Sequence, residues 1–114
     1  PTSARLLAEI TALVLAQGRD DVFGYLREKG GLYHCAGSGS CSRYEWAKAI
    51  LELDPHKGEQ VVKELLPAKS SDFAVPANRP MVSVLDCGSL EGKFNLHISP
   101  YKFFLHWVME ESLA

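Results

Sequence analysis

Two sets of residues have types and spacings that could do chemistry. Gly37-x-Gly39-x-x-Ser42 nearly spells the glycine fingerprint with which a strand-to-helix turn lets backbone approach a dinucleotide pyrophosphate. Its third glycine is replaced by Ser42, and a double βαβαβ unit does not fit in 114 residues. The turn therefore reads as a well-capped structural connection. Tyr44-x-x-x-Lys48 has the spacing at which a lysine one helical turn on lowers a tyrosine's pKa for proton transfer. Here Tyr44 precedes a capping Glu45 and faces inward, with Lys48 in solvent. No catalytic residue is assigned from either motif.

The remaining reactive side chains are scattered. His34, His56, His97 and His106 lie in separate segments and form no Ser-His-Asp order, so they read as surface or satisfied core histidines. Cys35, Cys41 and Cys87 make neither a C-x-x-C nor a zinc-ribbon pattern and read as free, mostly buried thiols of a cytoplasmic protein. Adjacent strand residues point to opposite faces, which speaks against a metal site at His34, Cys35 and Cys41. No metal ligand is assigned.

The elements that must position these residues follow from periodicity and punctuation. Thr2 or Ser3 can cap a first helix with an apolar stripe of Leu6, Leu7, Ile10, Leu13 and Val14, stopped near Gly18. Residues 19–31 read as a loop with one short helical turn. Leu32 to Ala36 suits a buried strand. Ser42-x-x-Glu45 is a capping box that opens a second helix, lined by Tyr44, Ala47, Ile50 and Leu51 and ended by Asp54-Pro55. Gln60 to Leu66 reads as a second strand, which would complete a right-handed β-α-β crossover. Three prolines make residues 67–80 an extended loop. A short strand at 82–85 follows, then a helical turn at 89–94. Ser99-Pro100 starts a last helix lined by Tyr101, Phe104, Leu105, Val108 and Met109. The expected fold is a small α/β domain of three to four helices on a short, mainly parallel sheet, spanning residues 1–114 as one domain.

Bulk properties narrow the function classes. With 46% hydrophobic and 23% charged residues the chain is ordinary for a globular protein. A formal net charge of -2 and no run of Lys or Arg give no electrostatic case for nucleic acid or an anionic membrane. No stretch approaches the ~20 apolar residues of a membrane span, and no signal peptide is visible. An opening of Pro1-Thr2-Ser3, without Met, suggests a domain taken from a longer chain.

Read in order, several blocks resemble one family. They are Pro1-Thr2 opening a helix, Gly31-Leu32-Tyr33-His34 into Ala36-Gly37-Ser38-Gly39, and Ser42-x-Tyr44-Glu45-x-Ala47. Further along come Pro76-x-x-Arg79-Pro80, Ser83-x-Leu85-Asp86, Leu90-x-x-x-Phe94 and Pro100-Tyr101. Their order and spacing are similar to the carboxyl-terminal half of dTDP-4-dehydrorhamnose reductases, among the extended short-chain dehydrogenases. The resemblance implies a reductase of dTDP-4-dehydro-L-rhamnose whose NADPH or NADH and catalytic Tyr-Lys pair belong to an amino-terminal Rossmann domain that this chain lacks. The chain itself would bind no cofactor and would supply the nucleotide-sugar pocket. Thr2, Arg79 and Asn78 match the family's pocket elements and are the candidate substrate contacts. A guanidinium on a loop suits bidentate recognition of a pyrophosphate. Expected partners are the dTDP-sugar, the missing Rossmann domain and a second copy meeting it through an exposed apolar face. The alternative reading is a non-catalytic interaction or regulatory module of the same fold, acting through a protein partner.

Overall fold

A computed structural model describes residues 1–111. It contains five α-helices, α1 (Ala4–Gln17), α2 (Val22–Lys29), α3 (Arg43–Leu53), α4 (Gly88–Phe94) and α5 (Tyr101–Glu111). Single 3₁₀ turns stand at Lys57–Glu59 and Ser70–Asp72. The expected parallel sheet is not there. Among the described residues the β pairing amounts to one isolated parallel bridge, Ser38 to Pro100. The segments 32–36, 60–66 and 82–85 run without regular structure instead of as strands. Apolar, β-branched runs specify an extended backbone, but a strand also needs a hydrogen-bonded neighbour. Among the described residues none of these segments finds one, and Leu32, Val61 and Val82 are 93%, 91% and 76% exposed.

The chain divides into two compact units. Pro1–Gly39 with Leu85–Phe104 makes the first, and Ser40–Val84 with the chain from Leu105 onward makes the second.

In the first unit Ser3, not Thr2, caps α1. The Ser3 side chain accepts the Leu6 N–H at 3.1 Å, satisfying a donor that has no partner inside the helix. An Arg5–Glu9 pair one turn apart, at 3.0 Å, braces the exposed face. Leu6 and Ile10 of the expected stripe are buried, whereas Leu7 and Leu13 stay about half exposed. Where a loop is expected at 19–31 there is a two-turn helix, α2. Asp21 caps it by accepting the Gly24 N–H at 2.9 Å, and Arg27 and Lys29 occupy its last turn, where cations suit the helix dipole. α4 ends at Asn95 in the left-handed conformation (φ 48°), a common helix stop.

Around these helices the core gathers Leu6, Ile10, Leu90, Phe94, Ile98, Tyr101 and Phe104. Each such burial is worth roughly 1.5–3 kcal/mol. The Phe94 ring packs edge-to-face with Tyr33 at 5.2 Å and lies tilted against Tyr25 at 6.3 Å. Polar links reinforce the packing. Gln17 donates to the Phe94 carbonyl at 2.7 Å and accepts from the Tyr25 hydroxyl at 2.7 Å, so one amide joins α1, α2 and α4. The Glu91 carboxylate accepts the Ile98 N–H at 2.8 Å and fixes the chain just before α5.

Ser38 closes the unit. Its N–H donates to the Ser99 carbonyl at 3.1 Å and its carbonyl accepts the Tyr101 N–H at 3.0 Å. Gly37 beside it donates to the Pro1 carbonyl at 3.3 Å. A Cβ on Gly37 would stand 2.9 Å from the Tyr101 Cα and 3.0 Å from the Pro1 oxygen, so only glycine permits this approach. The last helix starts at Tyr101, one residue beyond the expected Ser99-Pro100 start.

The second unit holds α3, whose capping box forms as expected. Ser42 Oγ accepts the Glu45 N–H at 3.1 Å, and the Glu45 carboxylate accepts the Ser42 N–H at 2.7 Å. Ala49 is the buried residue of this helix; Tyr44, Ala47, Ile50 and Leu51 are half-buried. At its far end the Gln60 amide donates to the Leu51 carbonyl at 3.0 Å and to the Asp54 carboxylate at 2.8 Å. Gln60 thus closes a helix instead of opening a strand. In α5, Leu105 is buried and Met109 half-buried, while Val108 is exposed.

Three outcomes are expected. Gly37→Ala lowers unfolding free energy by about 1–3 kcal/mol, the usual cost of overpacking, read as a urea midpoint shift. Gly58→Ala, with nothing within 4 Å of the new Cβ, stays within about 0.5 kcal/mol. At Asp54, hydrogen bonds from the Gln60 side chain and then the His56 backbone hold the carboxyl below its usual range. A lowered folded pKa means that its contribution is in place above the ordinary value of about 3.9 and is lost as pH falls through the lowered one. In an NMR titration Gln60→Ala should move Asp54 back up; an unchanged Asp54 would refute the assignment of cause.

Candidate functional site

The two motifs that resemble catalytic machinery serve packing and capping. In the first unit, the space a pyrophosphate would need above Gly37 is filled by the Tyr101 backbone and the Pro1 carbonyl. Gly39 takes φ +85°, which glycine adopts at no steric cost, with the Tyr101 ring 3.7 Å from where its Cβ would be. In the second unit, two N–H groups at the start of α3 that could hold an anion, those of Ser42 and Glu45, already have Glu45 and Ser42 side chains as partners. These residues do not fit a dinucleotide phosphate. Lys48 pairs with Glu52 at 3.8 Å, one turn further along the exposed face, in place of supporting Tyr44 as a proton donor.

The histidines occupy separate exposed positions. His56 lies 3.8 Å from Glu59, His97 3.6 Å from Glu91, and His106 3.1 Å from Glu110. His34 is exposed on the 32–36 segment. No group of His, Cys, Asp and Glu among the described residues has the arrangement of a metal site. All three cysteines are free and half-buried. No helix is long and apolar enough to cross a membrane.

Of the candidate substrate contacts, Thr2 belongs to the first unit, exposed one residue before the cap of α1. Because Ser3 does the capping, the Thr2 side chain is not needed by the helix. Asn78 and Arg79 are neighbours in the second unit, both exposed in the proline-rich stretch between the 3₁₀ turn at Ser70–Asp72 and Pro80. That stretch carries no regular hydrogen-bonded structure, so its side chains are offered to solvent.

Sequence reasoning missed a concavity in the first unit. An open groove of about 420 Å³ in the first unit is lined by α1 (Leu7, Ile10, Val14), α2 (Leu26), and Tyr33 and Phe94. Its walls are mainly apolar, with the Tyr33 hydroxyl donating to the Lys29 carbonyl at the end of α2. The half-exposed Leu7, which fails to reach the core, is explained by this groove. The signal was present in the α1 stripe, which is too wide for the core it covers, but reading α2 as a loop removed the opposite wall.

Capped helices, a long accessible loop and an apolar groove, with the reactive-looking motifs committed to structure, define a binding domain. Comparison with known proteins gives the same class. The family model for the RmlD substrate binding domain matches residues 1–113, and the chain belongs to that family. A dTDP-4-dehydrorhamnose reductase of Burkholderia thailandensis is 31% identical over an alignment that covers all of this chain. The chain spans 39% of that relative's length. No solved structure matches it. Nothing in these likenesses supports the reading as a regulatory module.

Glu45→Gln should lower stability by about 0.5–1 kcal/mol through the weakened cap and leave the fluorescence of NADPH titrated with the chain unchanged. An NADPH signal that depends on Glu45 would place a dinucleotide at this turn after all.

Proposed function

We propose that the chain is the nucleotide-sugar-binding part of an NAD(P)H-dependent dTDP-4-dehydrorhamnose reductase, which converts dTDP-4-dehydro-L-rhamnose to dTDP-L-rhamnose. The observation that carries this reading is the 31% identity, across the whole chain, to a reductase of that name. A nicotinamide cofactor supplies hydride to the sugar carbonyl in such a reaction. The Gly37 and Ser42 turn does not fit its phosphates, so this chain's part is to bind and orient the sugar nucleotide.

Arg79 is the residue best suited to the diphosphate. Its guanidinium presents paired N–H donors to anionic oxygens, a charge-assisted geometry that lysine cannot reproduce. Asn78 beside it offers an amide that both donates and accepts, and Thr2 a hydroxyl for a sugar oxygen. The exposed apolar groove of the first unit supplies the surface on which the cofactor-holding part of the parent protein packs.

Calorimetric titration of the chain with dTDP-L-rhamnose tests the proposal. Weak saturable binding is expected, with Arg79→Ala weakening it at least ~10-fold, the scale of a hydrogen bond to a charged group. Arg79→Lys should restore only part of the loss. No binding, even with the cofactor-holding part of the related reductase added, would overturn the reading.

A further inference from the structure

Cys87 holds the amino-terminal cap position of α4, yet its side chain makes no capping bond. The sulfur turns instead toward the extended 32–36 segment, where Sγ lies 3.8 Å from the Ala36 carbonyl oxygen. Ala36 is the residue next to Cys35, and both thiols are free and half-buried. We propose that Cys35 and Cys87 form a reversible redox pair, closing to a disulfide that ties the 32–36 segment to the start of α4. The proposal is independent of the sugar-binding reading.

The geometry of the first unit carries this pairing. A disulfide needs Cα atoms ~4.4–6.8 Å apart, and one step along a chain is ~3.8 Å, so a sulfur resting on Ala36 is one residue from its partner. Cys35 and Cys87 both belong to the first unit; Cys41 belongs to the second. The 32–36 segment has no strand neighbour among the described residues, which leaves it free to make the small adjustment that closure requires. Burial pushes the Cys35 thiol up, and Cys87 adds to the rise.

A peroxide is the oxidant class that balances the step. The Cys87 sulfur attacks hydrogen peroxide, the O–O bond breaks, and Cys87 sulfenic acid and one water result. The Cys35 sulfur then displaces the sulfenic oxygen as a second water and forms the S–S bond. Two thiols lose two hydrogens, and one peroxide becomes two waters. Because Cys35 lines the apolar groove, the bond would fix one groove wall to α4.

The test is treatment of the full 114-residue chain with stoichiometric hydrogen peroxide, then alkylation, peptide mapping and intact mass. The expected result is a loss of ~2 Da, a single Cys35–Cys87 linked peptide, alkylation retained at Cys41, and reversal by dithiothreitol. Cys41→Ser should leave the cross-link intact, while Cys35→Ser and Cys87→Ser should each abolish it. Should either of those variants fold poorly, the unsubstituted chain still decides, because Cys35 and Cys87 must lose alkylation together and at one rate. A bond through Cys41, only intermolecular bonds, or addition of oxygen without a link would overturn the proposal.

Discussion

The first unit depends on one backbone junction, where residues 37 and 38 meet the chain entering α5. A helix start leaves N–H groups without intrahelical partners. The Ser38 carbonyl takes the first of these, from Tyr101, while the Ser38 N–H engages Ser99. The Gly37 N–H takes the Pro1 carbonyl in the same place, two residues before the Ser3 cap of α1. The entrances to α1 and α5 are therefore fixed by adjacent residues of a single turn. The contact tolerates no Cβ at Gly37, which makes it a backbone constraint that side-chain substitution elsewhere cannot replace.

From that junction the rest of the unit follows by short polar links laid over apolar packing. Glu91 holds the Ile98 N–H and so sets the approach to Ser99. Ile98 itself is 1% exposed, so its amide could not be left without a partner except at a cost of ~1–3 kcal/mol. Gln17 bridges the Phe94 carbonyl and the Tyr25 hydroxyl, which seats α2 beside α1 and α4. The groove lies where these three helices stop short of filling the space between them. Its apolar lining is the continuation of the core, left open on one side.

Helices whose ends carry their own chemistry were legible in the sequence. Ser42-x-x-Glu45 gives both hydrogen bonds of a capping box, and the Leu6 and Ile10 positions of α1 are buried as their spacing requires. α2 was not legible because Gly24 lowers helix propensity and glycines stand on either side of the stretch, at 18 and 30; the cap from Asp21 and the contact of Tyr25 with Phe94 compensate. The sheet was misread for a different reason. Leu32 to Ala36 has the composition of a strand, but composition cannot name the neighbour that accepts its hydrogen bonds, and the described chain holds none. The candidate site was legible only as a set of residue types, since nothing in the local sequence of Thr2, Asn78 and Arg79 fixes what they face.

A motif is evidence for chemistry only if its residues have nothing else to do. Gly37 and Gly39 have two independent structural reasons to be glycine, a close backbone approach and a positive φ. Glu45 spends its carboxylate on the α3 start, and Lys48 its ammonium on Glu52. Arg79 differs from these motif residues. It is a cation on an extended, proline-flanked loop, exposed, with no turn to cap and no core to cover. Holding such a side chain at a loop surface contributes little to stability. The proposed ligand, an anionic sugar nucleotide, would give that guanidinium a partner of opposite charge.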